Sequence, residues 1–330
     1  MVTQMIDVHL LDDLEPQDLA DLSRQLDPNI VVTTGKELPK QPHFQILVAG
    51  RPERRHLSAS PELRALVIPW AGVPDPTRKL AADFPSLTVH NLHHNAAPTA
   101  ELALGLLFAA AKFILPFDQD LRRGDWQRRY APSPAVLLAG KNALVLGLGE
   151  IGQRIARVCL ALDMQVFAVK RHPDHIPPGL EAIEIHPPEE LPQLLAHCQV
   201  LVIALPLTVE TRGLINAPEI ARMPDGSLLV NIGRGPIIDQ EALYRALIKG
   251  KLAAAGLDVW YNYPETAEAR LHTLPSSAPL YALSNVVLSP HRGGASRETE
   301  TLRMQHLASL INAAGRGEPL PNQVDLQLGY

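Results

Sequence analysis

The chain has 330 residues, of which 46% are hydrophobic and 20% are charged, and its formal net charge is −5. This length suggests about two domains, and the composition is typical of a globular protein that can bury full cores. A small negative charge gives no reason to expect a nucleic-acid or an anionic-membrane partner.

The first hundred residues predict a small α/β unit. Met1–Asp13 carries three aspartates and no Lys or Arg, so it does not have the pattern of a signal peptide. Short apolar runs follow at Ile30–Thr33, Ile46–Ala49 and Leu66–Ile68. Runs of this length, separated by polar and proline-containing segments, are typical of buried strands.

Two features of the chain favour a cytoplasmic location without a membrane span. The longest apolar stretch, Thr99–Leu115, is interrupted by Glu101 and Lys112 and is short for a span, so it predicts a buried helix instead. Cys159 and Cys198 lie far apart and form no metal-binding or paired motif. This cysteine usage is typical of a reducing compartment.

The middle of the chain alternates apolar runs with helical patterns. The predicted strands are Ala143–Leu146, Val166–Val169, Val200–Leu205, Ser227–Ile232, Ala253–Leu257 and Val286–Leu288. The predicted helices are Gly152–Leu162, Glu189–His197, Gln240–Gly250 and, in the tail, Ser296–Gly315. Continuous apolar strands that alternate with helices indicate a parallel sheet covered on both faces.

A glycine-rich turn follows the run Ala143–Leu146. It reads Gly147-Leu148-Gly149-Glu150-Ile151-Gly152 and opens the first of these helices. The first glycine permits a tight turn, the second lets a pyrophosphate approach the backbone, and the third allows close helix–strand packing. A merely structural turn is the alternative, but the strand before the turn and the helix after it favour a dinucleotide site.

The end of the next strand indicates which dinucleotide. An NAD site usually has Asp or Glu there to bind the ribose 2′-hydroxyl. This chain has Lys170-Arg171-His172, and the first carboxylate after them is Asp174. Cations at this position favour the 2′-phosphate of NADP, with NAD as the alternative cofactor. The competing interpretation is a solvated basic loop.

Four further segments, taken with the glycine turn, resemble the D-isomer-specific 2-hydroxyacid dehydrogenase family over nearly the whole chain. They are Pro206–Ile215, Asn231–Gly235, Gly256–Trp260 and Ser289–Gly294. The resemblance implies two doubly wound α/β domains with parallel sheets. A Rossmann cofactor domain, residues 98–294, would be inserted into a smaller flavodoxin-like substrate domain, residues 1–97 and 295–330. It also implies hydride transfer between NADP(H) and a small 2-oxo acid, and a homodimer.

The resemblance assigns roles that physical chemistry supports. Arg234 would bind the substrate carboxylate and polarise the keto oxygen, and His291 would be the acid–base. The turn Trp70-Ala71-Gly72-Val73 would offer backbone N–H groups to the substrate. Asp258 would lie near the nicotinamide amide, or would simply cap a strand end. The implied cofactor contacts outside the glycine and basic turns are Pro206, Thr211, Ile232, Gly233, Asp258 and Gly293.

The chain departs from the family at one position. Five residues after Asp258, where the family has a glutamate that pairs with the histidine, this chain has Tyr263 followed by Pro264. Tyr263 could bond the imidazole as a neutral partner, a shifted loop could bring Glu265 to it, or the imidazole could have no partner. Because a proline also follows the family's glutamate, we expect Tyr263 to be the partner.

Two alternatives remain for comparison with the structure. His90, His93 and His94 are close in sequence, but no carboxylate or cysteine stands at ligand spacing, so we expect no metal site. The departure at Tyr263 also fits a nucleotide-sensing regulatory module that has lost turnover. Retention of Arg234 and His291 favours the enzyme.

Overall fold

The computed structural model describes residues 5–173 and 176–329. The chain divides into two compact units, one formed by Met1–Asn95 with Ala295–Tyr330 and the other by Ala96–Gly294. The second unit therefore interrupts the first in sequence.

The first unit contains a five-stranded sheet in which all strand pairs are parallel, with the order β2-β1-β3-β4-β5. Its strands are β1 (Ile6–Leu10), β2 (Ile30–Thr34), β3 (Ile46–Val48), β4 (Ala65–Ile68) and β5 (Thr88–Asn91). Its helices are α1 (Pro16–Ser23), α2 (Arg54–Leu57), α3 (Asp75–Ala81) and α10 (Thr299–Gly315). This strand order is that of the flavodoxin-like doubly wound sheet.

The second unit contains a seven-stranded parallel sheet with the order β12-β11-β10-β9-β6-β7-β8. Its strands are β6 (Asn142–Leu146), β7 (Gln165–Val169), β8 (Glu184–His186), β9 (Val200–Ile203), β10 (Ser227–Asn231), β11 (Leu252–Leu257) and β12 (Val286–Leu288). Its helices are α4 (Ala96–Lys112), α5 (Ile114–Arg122), α6 (Glu150–Ala161), α7 (Leu191–Leu195), α8 (Ala217–Arg222) and α9 (Gln240–Ile248). The strand order reverses at β6, so a crevice opens there outside the carboxyl ends of the strands.

The two parallel sheets with interleaved helices confirm the predicted fold class. Three strands were missed: β1, β5 and β8. Each carries polar or charged residues, and β8 has only three residues, so none reads as a continuous apolar run. The apolar stretch predicted as one helix to Leu115 is broken, because Phe113 adopts a left-handed conformation with φ 53° and α5 begins at Ile114.

No single helix in residues 5–173 and 176–329 is long and apolar enough to cross a membrane, although α4 and α5 together pass a test of length and composition as a pair bent by 66°.

Helix α4 packs closely on the seven-stranded sheet. Gly256 in β11 makes this possible, because a Cβ there would lie 2.7 Å from the Leu106 Cβ and 3.2 Å from the Leu106 backbone. The opposite situation holds at Gly105, which precedes Leu106 in α4, because a Cβ there would meet no atom of residues 5–173 and 176–329 within 4 Å. The helix can therefore lie close to the strand only because one residue lacks a side chain.

We predict opposite effects of the same substitution at these two glycines. Gly256→Ala should lower the free energy of unfolding by about 1–3 kcal/mol, because the helix must move off the sheet. Gly105→Ala should raise it by about 0.5–1 kcal/mol, because alanine favours a helix and meets no obstacle. Thermal unfolding of both variants measures this. Equal stability of the two variants would contradict the packing described for α4.

Candidate active site

The glycine turn has the geometry of a cradle for an anionic group. Gly147 has φ +92°, and a Cβ on Gly152 would lie 1.9 Å from the Gly147 carbonyl oxygen. Among the described residues, no atom lies within 4 Å of a Cβ built on Gly149. Helix α6 begins at Glu150, next to Ile151, and no side chain in the described part of the chain caps it. The backbone N–H groups at its start therefore remain available to a phosphate, and these residues fit a dinucleotide.

The ends of β7 and β9 lie on either side of β6. Lys170 and Arg171 follow β7, and the Arg171 Nη2 atom lies 2.5 Å from a carboxylate oxygen of Glu210, which follows β9. Sequence reasoning named Arg171 but missed Glu210, because 39 residues separate the two. Asp174, the first carboxylate after the basic pair, lies outside the described residues.

The segment after β9 is held by its own threonines. The Thr211 hydroxyl donates to the Pro206 carbonyl at 2.7 Å and accepts from the Thr208 backbone N–H at 2.8 Å. The Thr208 hydroxyl in turn accepts from the Thr211 backbone N–H at 3.2 Å. Pro206 and Thr211, the two predicted cofactor contacts in this segment, therefore belong to one ordered turn.

The loop after β10 fixes the backbone of Arg234. The Gly233 N–H, next to Ile232, donates to the Asn231 side-chain oxygen at 3.0 Å, and the Asn231 amide donates to the Arg234 carbonyl at 3.0 Å. A Cβ on Gly235 would lie 2.3 Å from the Trp260 carbonyl oxygen, so the loop can pack there only with glycine. The Arg234 side chain is exposed, and its Nη1 atom donates to the Gly233 carbonyl.

The carboxylate of Asp258 holds the segment that carries His291. Asp258 is 2% exposed and accepts hydrogen bonds from the Ser289 hydroxyl at 2.5 Å, the Arg292 N–H at 2.8 Å and the Gly293 N–H at 2.9 Å. Both of its oxygens are thus engaged by the chain itself, which favours the second of its two expected roles, that of capping a strand end.

His291 has a left-handed backbone with φ 57°, a conformation that costs free energy in a residue other than glycine. The bonds from Asp258 to residues on both sides hold this conformation. Trp260 adds a further tie, since its indole N–H donates to the Ser289 carbonyl at 2.8 Å. Ser289 and Trp260 were not predicted as site residues, although both stand inside the family-like segments.

Tyr263 lies against the imidazole. Its hydroxyl oxygen is 2.9 Å from Nδ1 of His291 and accepts the Trp260 backbone N–H at 3.1 Å. Glu265 is exposed and makes no hydrogen bond or ion pair with any residue in the described part of the chain. Of the three arrangements considered from the sequence, the geometry is that of the tyrosine partner.

The surroundings of the imidazole favour its neutral form. Loss of hydration among the packed groups lowers the pKa of His291 below its usual value, the positive charge of Arg234 lowers it further, and Asp258 opposes both. The pKa of Tyr263 is raised, chiefly because the phenolate would lose hydration. The phenol therefore acts as a neutral hydrogen-bonding group.

The turn Trp70–Val73 belongs to the first unit and follows β4. Its carbonyl groups are engaged, since the Ala71 oxygen accepts from the Asn91 amide at 2.6 Å. Within the described residues, no backbone acceptor meets the N–H groups of Ala71, Gly72 and Val73. The Trp70 ring lies over Gly50, where a Cβ would fall 1.9 Å from it.

Residues considered for other chemistry have local roles. His90 bonds the Pro321 carbonyl at 2.8 Å and the Thr88 hydroxyl at 2.9 Å. Across residues 5–173 and 176–329, no group of three or more His, Cys, Asp and Glu side chains is placed to hold a metal ion. Burial raises the pKa of the Cys159 thiol to about 11 and that of the Cys198 thiol to about 12, so both thiols are unreactive.

Comparison with known proteins places this geometry in a family. Residues 104–293 match the family model described as the NAD-binding domain of the D-isomer-specific 2-hydroxyacid dehydrogenases. A glyoxylate reductase of Aeropyrum pernix is 36% identical over 236 residues, which are 70% of this chain and 67% of the relative. A D-3-phosphoglycerate dehydrogenase of Archaeoglobus fulgidus is 31% identical over 296 residues.

The match to the Archaeoglobus protein covers 88% of this chain but 53% of the relative, so the chain spans about half its length. Among solved structures, a D-isomer-specific 2-hydroxyacid dehydrogenase of Xanthobacter autotrophicus, in complex with NADPH and MES, superposes with a TM-score of 0.76 at 26% identity. That alignment covers 98% of this chain and all of the other.

We predict that Asp258→Asn destabilises the protein by about 1–3 kcal/mol, because an amide cannot accept all three hydrogen bonds and loses the charge that strengthens them. Asp239→Asn is the matched control. Asp239 caps α9 by accepting the Ala242 N–H at 2.8 Å, and asparagine caps equally well. Thermal unfolding compares them, and a similar small effect in both variants would contradict the role given to Asp258.

Proposed function

The chain belongs to the D-isomer-specific 2-hydroxyacid dehydrogenase family, and we propose that it is an oxidoreductase that transfers a hydride between NADP(H) and a small 2-oxo acid or D-2-hydroxy acid. NAD is the alternative cofactor. The observation that carries this proposal is the imidazole of His291, held by Tyr263 at the sheet edge that also bears the glycine cradle. A glyoxylate reductase and a hydroxypyruvate reductase are among the relatives, which agrees with a small substrate.

Each residue near this edge has a proposed task. A nicotinamide dinucleotide, when bound at the glycine turn, supplies the hydride. Arg234 binds the substrate carboxylate with its planar guanidinium and stabilises the negative charge that develops on the keto oxygen. His291 donates a proton to that oxygen, and accepts one when the alcohol is oxidised. Tyr263 orients the imidazole through Nδ1, which leaves Nε2 for the substrate.

The two compact units also have proposed tasks. We assign the unit of Ala96–Gly294 to the cofactor and the other unit to the substrate. The N–H groups of Ala71, Gly72 and Val73 support the second assignment, because they meet no backbone acceptor within the described residues and would point to the carboxylate of a substrate. Lys170 and Arg171 support NADP over NAD, and the relative from Xanthobacter was crystallised with NADPH.

We further propose a cytoplasmic homodimer. Two buried, unpaired cysteines support a reducing compartment. Several large apolar side chains of the cofactor unit are exposed within residues 114–137, and a concentration of exposed apolar side chains in one segment supports an interaction site there. They are Ile114, Leu115, Leu121, Trp126, Tyr130 and Leu137. A light-scattering mass for the purified chain tests this assembly against its 36.0 kDa monomer.

We predict turnover of a 2-oxo acid panel with NADPH, at higher kcat/KM than with NADH. Arg234→Ala should lower kcat and raise KM together, because the guanidinium acts in both binding and polarisation. Arg234→Lys should restore activity only in part, since an ammonium lacks the planar fork. Arg222→Ala, an exposed arginine at the end of α8, is the control and should behave as the wild type.

Two results would contradict parts of this assignment. Wild-type kinetics in Arg234→Ala would remove this residue from the site. Tight nucleotide binding without turnover of any 2-oxo acid would favour the nucleotide-sensing module.

We predict that reduction loses rate as pH rises through a value below the usual pKa of histidine, while alcohol oxidation persists there. Reduction needs the imidazolium, and partial burial and Arg234 hold the pKa of His291 low. Tyr263→Glu should move the upper limb of the reduction profile to higher pH, because a carboxylate stabilises the imidazolium. Tyr263→Phe adds no charge, so the upper limb of its reduction profile should stay at low pH while kcat falls. An unchanged limb in Tyr263→Glu would refute the pairing.

A further inference from the structure

The ion pair between Arg171 and Glu210 crosses the cofactor cradle. In the seven-stranded sheet, β6 lies between β7 and β9. Arg171 follows β7, Glu210 follows β9, and their side chains meet at 2.5 Å. The pair therefore joins the two sides of the crevice that opens at the carboxyl end of β6, where the glycine turn lies.

Glu210 is presented by an ordered loop. The reciprocal bonds of Thr208 and Thr211 and the bond from Thr211 to the Pro206 carbonyl fix the backbone on both sides of Glu210. The Glu210 side chain is 69% exposed, and that of Arg171 is 32% exposed. The carboxylate is thus held close to the guanidinium but remains in contact with water, where a ligand can reach both groups.

A ribose 2′-phosphate and the Glu210 carboxylate can bind the same nitrogen of Arg171, Nη2. The guanidinium offers a planar fork that binds either group with two hydrogen bonds. The ion pair uses Nη2 of Arg171, so a phosphate bound through both terminal nitrogens competes with Glu210 for that atom, and it also faces the negative charge of the carboxylate. An exposed ion pair contributes little stability, so the phosphate can displace the carboxylate, at a modest loss of affinity.

A ribose 2′-hydroxyl behaves in the opposite way. It is a hydrogen-bond donor that a carboxylate accepts, and in NAD-preferring sites an Asp or Glu at the end of the second strand accepts it. Lys170 and Arg171 occupy that position here, and the carboxylate comes instead from the loop after β9. The Arg171 guanidinium can therefore bind a 2′-phosphate, and the Glu210 carboxylate can accept a hydrogen bond from a 2′-hydroxyl.

We propose that Glu210 is a specificity-determining residue that competes with the 2′-phosphate for Arg171 and so narrows the preference of this enzyme for NADP over NAD. The proposal rests on the cofactor assignment made above. It makes Glu210 a residue that weakens NADPH binding and supports NADH binding.

The test is the dissociation constant of NADPH and of NADH, measured by fluorescence titration without substrate. In Glu210→Gln, NADPH should bind about two- to fivefold more tightly, which is the range expected for loss of one exposed ion pair. NADH should bind no more tightly than to the wild type. Asp225→Asn is the control, because Asp225 forms a comparable exposed pair at 2.8 Å with Lys251. It should leave both constants unchanged.

Arg171→Ala separates competition from the general effect of removing a negative charge. Arg171→Ala should weaken NADPH binding, and adding Glu210→Gln to it should give no gain for NADPH. If Arg171→Ala weakens NADPH binding as expected but Glu210→Gln leaves it unchanged or weakens it, the inference about Glu210 is overturned and the NADP assignment stands. A gain that persists without Arg171, or that Asp225→Asn reproduces, would overturn it as well. NADPH binding that is indifferent to Arg171→Ala would overturn the NADP assignment and the inference with it.

Discussion

The candidate site depends on one buried carboxylate. A charged group that is 2% exposed is costly unless its hydrogen-bonding capacity is filled, and Asp258 fills it with Ser289, Arg292 and Gly293. Because Asp258 follows β11 and its donors follow β12, the bonds fix two neighbouring strand ends relative to each other. The left-handed backbone of His291 lies inside this clamp, so the free energy gained at Asp258 offsets the strain at the imidazole.

Close backbone contacts fix the positions of the neighbouring loops. Gly233 lies against the Leu205 carbonyl and Gly235 against the Trp260 carbonyl, at distances that exclude a Cβ. Arg234 stands between them, so the glycines that flank it determine where its backbone runs while its side chain stays exposed. Parallel strands bring all these loops to one edge of the sheet, and the missing Cβ atoms let the loops pack against each other there.

Sequence patterns with a local cause were sufficient to predict much of this structure. The apolar runs of β6, β9 and β10 and the turn Gly147–Gly152 follow from local packing and backbone geometry. Tyr263 could be predicted as the partner of His291 because Pro264 follows it, as a proline follows the glutamate at this position in the family. The rest required tertiary information. The contact of Arg171 with Glu210 depends on which strands lie beside β6. The break at Phe113, in contrast, has a local signal that the prediction overlooked, because Pro116 cannot donate a hydrogen bond to the Lys112 carbonyl.

The exchange of a glutamate for Tyr263 changes more than charge. A carboxylate only accepts, so it would hold the proton of a neutral imidazole on Nδ1 and keep Nε2 free as a base. A phenol can accept from Nδ1 or donate to it. When the Tyr263 hydroxyl accepts the Trp260 N–H and donates its own proton to Nδ1, the proton of the neutral imidazole lies on Nε2. That tautomer can donate a hydrogen bond to a keto oxygen but cannot take a proton from an alcohol. The phenol oxygen can also accept from Nδ1, so Tyr263 fixes the position of the imidazole without fixing its tautomer, whereas a glutamate would fix both.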